Sequence, residues 1–236
     1  MKKNILMIFL CTVSFLFRVE AVAAEDWKAD LALTADQQQK LHDAGGRHRD
    51  AAAPTEATLA QLNTKLRGQV DAKASAGDLR ETVSEIRQAR EKIQAAHLAY
   101  DKERGGIFSP QQEAKVVLKE SGMSPSTAAH QTAHSTAAGK TGLSGLGLSA
   151  DQKLKLRAHN EELGAALKKL KAERVKEIAD LKAAGPDAAP EVLAPLLQAI
   201  RENRAKMAEA HNQYWDGLSK FLDGAQEAKL TLMSQP

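Results

Sequence analysis

The sequence predicts an all-α fold assembled from two tandem helical repeats, and three observations predict it. Aromatic residues make up only 4% of a chain that is 43% apolar. The rest is rich in Ala, Leu, Lys, Glu and Gln, a composition that favours long helices packed through small and medium side chains. No substantial strand pattern interrupts it. Finally, the chain repeats itself: 31-LALTADQQQKL-41 returns as 146-LGLSADQKLKL-156.

The repetition holds register over a long distance. An offset of 115 carries Leu31, Leu33, Ala35, Asp36, Gln37, Lys40 and Leu41 onto Leu146, Leu148, Ala150, Asp151, Gln152, Lys155 and Leu156. Further on, an offset of 114 lays 86-IRQAREKIQAAHLAY-100 on 200-IRENRAKMAEAHNQY-214, and 112-QEAKVVL-118 on 226-QEAKLTL-232. Shared helical composition does not produce blocks in register at both ends, so residues 31–118 and 146–232 read as a tandem duplication.

Residues 1–24 are set apart from the fold. Lys2 and Lys3 form a basic start, Ile5 to Phe17 an apolar run, and 21-AVAAE-25 offers small residues for cleavage after Ala23 or Ala24. An apolar run of 13 residues followed by Arg18 is short for a bilayer span. The expectation is therefore a cleaved secretory signal, a periplasmic protein and no stable membrane insertion. Bulky Phe9-Leu10 before Cys11 argues against a lipoprotein signal. Cleavage takes 33 basic and 30 acidic residues to 30 and 29, so the net charge falls from +3 to +1. A balance so close to neutral carries no footprint of nucleic-acid binding. Cys11 leaves with the leader, so neither a disulfide nor a thiol nucleophile is expected.

The first repeat occupies 25–118 and the second 146–236, each a helical hairpin with short terminal helices. In the second, Leu163, Leu167, Leu170, Ile178 and Leu181 line one face of a long helix that 185-GP-186 ends. Its return helix carries Leu193, Leu197, Ile200, Arg204, Met207, His211, Tyr214 and Leu218 at alternating steps of four and three. Leu79, Val83, Ile86, Arg90, Ile93, His97, Tyr100 and Arg104 repeat that seam in the first half. Gly45-Gly46 and Pro54 predict a break or kink in the first outgoing helix. Residues 119–145, dominated by Ser, Thr, Ala and Gly, read as a flexible linker with a reach of about 25–30 Å, enough to let the halves meet face to face.

The repeated opening has a physical reading of its own. Thr34 or Ser149 at the N-cap can accept from the backbone N–H three residues on, while Gln37 or Gln152 returns a bond: a capping box. The same grammar recurs in 108-FSPQQ-112, with Pro110 suited to the first helical position, and more loosely in 222-LDGAQ-226. Each half is bracketed by two such starts.

With these four starts, the chain resembles the Spy/CpxP family of periplasmic stress proteins, whose members carry two LTxxQ motifs. Leu33, Thr34 and Gln37 match the motif fully. Leu148, Ser149 and Gln152, and Phe108, Ser109 and Gln112, match it with conservative changes; Leu222, Asp223 and Gln226 depart most. The resemblance covers nearly all of the chain after the leader, in two copies. It implies a curved helical hairpin that in the family pairs into a cradle-shaped dimer, whose apolar and basic concave face holds unfolded clients without ATP. Related members are metal sensors or zinc-binding regulators of envelope stress. By this resemblance the chain fuses two subunits into an intramolecular pseudo-dimer whose partners are unfolded or aggregation-prone periplasmic proteins. Whether it associates further is left open.

Candidate sites follow the seam. Arg90 and Arg204 stand where aliphatic residues are expected, with Arg87, Lys92, Arg201 and Lys206 beside them. Arg90 and Arg204 either snorkel or pair with carboxylates on the facing helix, or the whole basic face lines the cradle and attracts acidic client segments. His97 and His211 are equivalent; each is either a packed core histidine or, with carboxylates such as Asp101 or Glu209, a zinc ligand. His130 and His134 share a zinc-like i, i+4 spacing but fall in the linker. Tyr100, Phe108, Tyr214, Trp215 and Phe221 cluster near the end of each half, as packing residues or as apolar client contacts. With no Gly-rich phosphate loop, no cysteine nucleophile and no HExxH, the chain is not expected to be an enzyme.

Overall fold

The computed structural model describes residues 31–122 and 144–234. The leader with Cys11, and most of the 119–145 segment with His130 and His134, lie outside the described residues. Those described are all-α, with no strand: α1 (Ala35–Asp71), α2 (Ala76–Ile107), α3 (Pro110–Gly122), a 3-10 turn (Ser144–Leu146), α4 (Ala150–Ala184), α5 (Pro190–Leu218) and α6 (Gly224–Met233). Helix α3 runs on past the repeat boundary at Leu118. No helix among the described residues is long and apolar enough to cross a membrane.

Local chemistry explains where the helices begin and end. Thr34 Oγ1 accepts from Gln37 N at 3.1 Å while Thr34 N donates to Gln37 Oε1 at 3.1 Å. Ser149 and Gln152 repeat the box at 3.1 and 3.0 Å. Ser109 with Gln112, and Asp223 with Gln226, close the other two. A plain Ser75 cap opens α2, accepting from Asp78 N. Helix α5 has no side-chain cap and starts instead on Pro190, whose missing N–H costs nothing there. Gly185, at φ +80°, ends α4 in a conformation that a side chain would resist.

Two antiparallel hairpins result. In the first, Lys65 pairs with Glu85 at 3.2 Å near the closed end, and Arg47 pairs with Glu103 near the open end. In the second, Asn203 Nδ2 donates to Leu170 O at 3.0 Å and Tyr214 Oη to Asn160 Oδ1 at 2.6 Å. The seam positions at the closed ends are deeply buried, Leu79, Val83 and Ile86 in α2 and Leu193, Leu197 and Ile200 in α5, as is Leu218 at the open end of α5. Each such side chain taken fully out of water contributes about 1.5–3 kcal/mol before entropy is counted.

The short terminal helices do not cover their own hairpins alone; each also reaches the other hairpin. Ala228 of α6, with Ala225 and Leu232, packs against Leu66, Leu79, Val83 and Ile86. Correspondingly, Ala114 and Val117 of α3 pack against Leu181, Leu193, Leu197 and Ile200. The open ends have their own clusters: Leu31, Leu33, Phe108 and Val116 in one, Leu146, Leu148, Leu156, Leu218, Leu222 and Leu230 in the other. The approach of α6 to the start of α2 is so close that a Cβ on Gly224 would overlap the Ala76 carbonyl oxygen.

The break expected at Gly45-Gly46 and Pro54 is absent, since helix α1 runs on through all three. Propensity argues for an interruption, but α1 lies along α2 with Ala44, Ala52 and Leu66 buried, and that packing outweighs the local cost. Thr58 Oγ1 donates to Pro54 O at 2.9 Å, just past the proline.

Candidate functional site

The motif glutamines do more than cap. Gln37 Nε2 donates to Gln112 Oε1 at 2.8 Å and Gln112 Nε2 donates back to Gln37 Oε1 at 3.3 Å. Gln37 Nε2 also donates to Ile107 O at 2.9 Å, and Gln112 Nε2 to Leu31 O at 3.0 Å. Gln152 and Gln226 reproduce the pair at 2.8 and 3.1 Å, with further donations to Phe221 O and Gly147 O. The two starts that bracket each half are thus two sides of one clasp. It ties the entry of the long helix to the entry of the short one.

Three of the six candidate cations are held by carboxylates. Arg87 of α2 pairs with Glu227 of α6, the side chains being 15% and 2% exposed. Arg201 of α5 pairs with Glu113 of α3, at 34% and 12%. These pairs occupy matching positions, since the 114-residue offset carries Arg87 onto Arg201 and Glu113 onto Glu227. Burial pulls the Arg87 guanidinium below its ordinary range, opposed by the nearby Asp216 and Glu91 carboxylates. Arg204 meets Asp101 at 3.2 Å and Glu120 at 3.1 Å, and Arg104 meets the same two carboxylates at 3.4 and 3.0 Å. Arg90 is half-buried over the Trp215 ring, 5.7 Å from its centroid. Lys92 and Lys206 are exposed.

The acidic partners escaped the sequence reading. Glu113 and Glu227 sit in the repeated QEAK, so the signal was present: an acid repeated at one position of a helix that the repeated arginines could reach.

The two equivalent histidines lie in separate hairpins. His97 Nδ1 stands 2.9 Å from His48 Nε2, with the rings tilted and Tyr100 beside His48. Burial lowers the His97 pKa, the His48 ring adds to that, and Glu56 and Asp101 oppose it. His48 was not foreseen, because its aligned position in the second half is Leu163. His211 is buried in α5, and burial with nearby Lys171 lowers its pKa. Among the described residues no three His, Cys, Asp or Glu side chains form a group able to hold a metal.

The open end of the second hairpin carries an aromatic groove of about 540 Å³ between α4 and α5. His159 stacks on Tyr214 at 4.8 Å, meets the edge of Phe221, and has Nε2 2.8 Å from Tyr214 O. Burial pushes the Tyr214 hydroxyl up to about 12. Lys155, Glu162, Leu163 and Lys220 complete the walls. Phe108, by contrast, is a buried packing residue at the open end of the first hairpin.

No family model matches the chain, and comparison with curated proteins and with solved structures finds no match.

Proposed function

We propose that the chain is an ATP-independent periplasmic chaperone that holds unfolded or partly folded proteins on a helical surface, and that it arose by fusing two Spy/CpxP-like subunits into an intramolecular pseudo-dimer. The observation that carries this reading is the exchange of short helices, with Arg87–Glu227 and Arg201–Glu113 as matching ties. An exchange in which α3 reaches α4 and α5 while α6 reaches α1 and α2 fits a fused dimer. The Gln37–Gln112 and Gln152–Gln226 clasps give the two LTxxQ-like starts of each half a shared structural reason.

Client contact in this reading combines cations with apolar surface. Arg90, Lys92 and Lys206 supply charge, since Arg87, Arg201 and Arg204 are held by carboxylates. Leu154 and Val175, 68% and 70% exposed along α4, and the His159–Tyr214–Phe221 groove supply apolar contact. Charge steers and apolar area holds, a combination suited to fast, weak and sequence-tolerant binding. The test is light scattering of a denatured client diluted into buffer without nucleotide. Aggregation suppressed at near-stoichiometric amounts of the protein supports the reading, and unaltered aggregation ends it.

A second reading, a zinc-responsive sensor or adaptor of an envelope stress pathway, draws on the contact between His48 and His97. Calorimetric titration with zinc tests it: saturable binding that His97→Gln abolishes favours it, and no heat of binding removes it.

A further inference from the structure

The two halves differ at one pair of matching positions. Arg204 is clasped by Asp101 and Glu120, at 3.2 and 3.1 Å. The 114-residue offset carries Arg204 back to Arg90, Asp101 on to Trp215, and Glu120 on to Ser234. Those are the side chains that Arg90 meets: Ser234 Oγ at 3.4 Å and the face of Trp215 at 5.7 Å. The corner is thus built twice, once with two carboxylates and once with a hydroxyl and an indole. Among the described residues no carboxylate stands at ion-pair distance from Arg90, and the neighbouring guanidinium of Arg87 adds positive potential. A half-buried cation without a counterion is costly to keep.

We propose that the Arg90–Trp215 corner is a binding site for a peptide carboxylate, an acidic group next to an apolar side chain. The internal copy of the corner shows the chemistry that suits it, because there two carboxylates engage the equivalent guanidinium. Planar carboxylate matches the donor fork of Arg, and the indole offers the adjoining apolar residue a wall. Acidic side chains and free C-termini share this chemistry. The identification of the carboxylate's carrier as a client protein rests on the chaperone reading; the site itself does not.

The experiment follows Trp215 emission in a Trp27→Phe background, which leaves Trp215 as the single tryptophan. The probes are a capped Leu-Asp-Leu peptide, its capped Leu-Asn-Leu counterpart, an uncapped Leu-Leu-Leu with a free C-terminus, and inorganic phosphate. The expected result is saturable binding of the Asp peptide, about tenfold or more tighter than the Asn peptide and lost in Arg90→Gln. Comparable binding of the uncapped peptide assigns the site to C-termini as well; its failure restricts the site to acidic side chains. Ser234→Glu keeps the proposal testable if Arg90→Gln unfolds, because it installs the counterpart of Glu120. It should raise the thermal midpoint and abolish binding of the Asp peptide. Equal affinity for Asp and Asn peptides, equal affinity for phosphate, or unchanged binding after Ser234→Glu overturns the proposal. If the protein that keeps Arg90 suppresses client aggregation but binds none of the peptides, the site fails and the chaperone reading stands. If peptide binds and aggregation is never suppressed, the reverse holds.

Discussion

The side-chain amides of Gln152 and Gln226 face each other across 74 residues of chain, each Nε2 donating to the other's Oε1. Each oxygen also accepts from its own N-cap N–H. The same atoms therefore start two helices and join them, which a cap alone would not require. Glutamine fits because it offers a donor and an acceptor on one short planar group.

Glu serves as well as Gln in an ordinary capping box, so Gln152→Glu separates a cap from a clasp. It keeps the oxygen that Ser149 N needs and removes the donor that serves Gln226 Oε1 and Phe221 O. The expected loss is about 1–3 kcal/mol in urea unfolding, nearly as large as for Gln152→Ala. Wild-type stability in Gln152→Glu would reduce the motif to a cap.

Gly224→Ala places a methyl group against the Ala76 carbonyl, which is backbone and cannot step aside. The expected outcome is loss of stability as α6 is pushed off α2. Gly46→Ala meets no atom within 4 Å and sits inside α1, so it should stabilise by up to about 1 kcal/mol. Thermal unfolding of the two variants side by side checks both signs.

Glu227→Gln leaves the Arg87 charge without its partner at a site where Glu227 is 2% exposed. Breaking a buried pair in this way costs about 3–5 kcal/mol. Glu113→Gln should cost less, because Arg201 and Glu113 retain more water. Replacing both members, Arg87→Met with Glu227→Leu, should recover most of the loss in denaturant unfolding, since no orphaned charge remains.

His97 and His211 both have folded pKa values below the ordinary 6.5, with burial as the first cause. The unfolded chain then binds more protons, so their contribution to stability is intact above pH 6.5 and lost as pH falls through 6.5 toward the folded values. The groups acting on His97 are His48, Glu56 and Asp101, and the one acting on His211 is Lys171. Urea midpoints measured from pH 7.5 to 5.5 should fall, and His97→Gln with His211→Leu should flatten the fall.

Much of this architecture was legible because it is local or periodic. The caps depend on residues three apart, and Leu193, Leu197, Ile200 and Met207 announce a buried seam by their spacing alone. Arg204 was legible only as an anomaly on that seam, because its partners Asp101 and Glu120 lie in the other half. Pro54 misled, since helix propensity weighs about 3 kcal/mol at one residue while packing is summed along the whole of α1. His48 carried no signal, having no histidine counterpart.

By itself, the sequence determined that the chain is helical, where four of its six described helices start, which stripes turn inward and that blocks of the two halves read alike, since these follow from spacing of a few residues or from direct repetition. Only the tertiary structure decided that α3 and α6 each pack on the opposite hairpin, that Arg87, Arg201 and Arg204 find carboxylates and that Arg90 finds none among the described residues. Those outcomes depend on which distant surfaces meet, and a difference between Glu120 and Ser234 acquires meaning only once each lies beside its arginine.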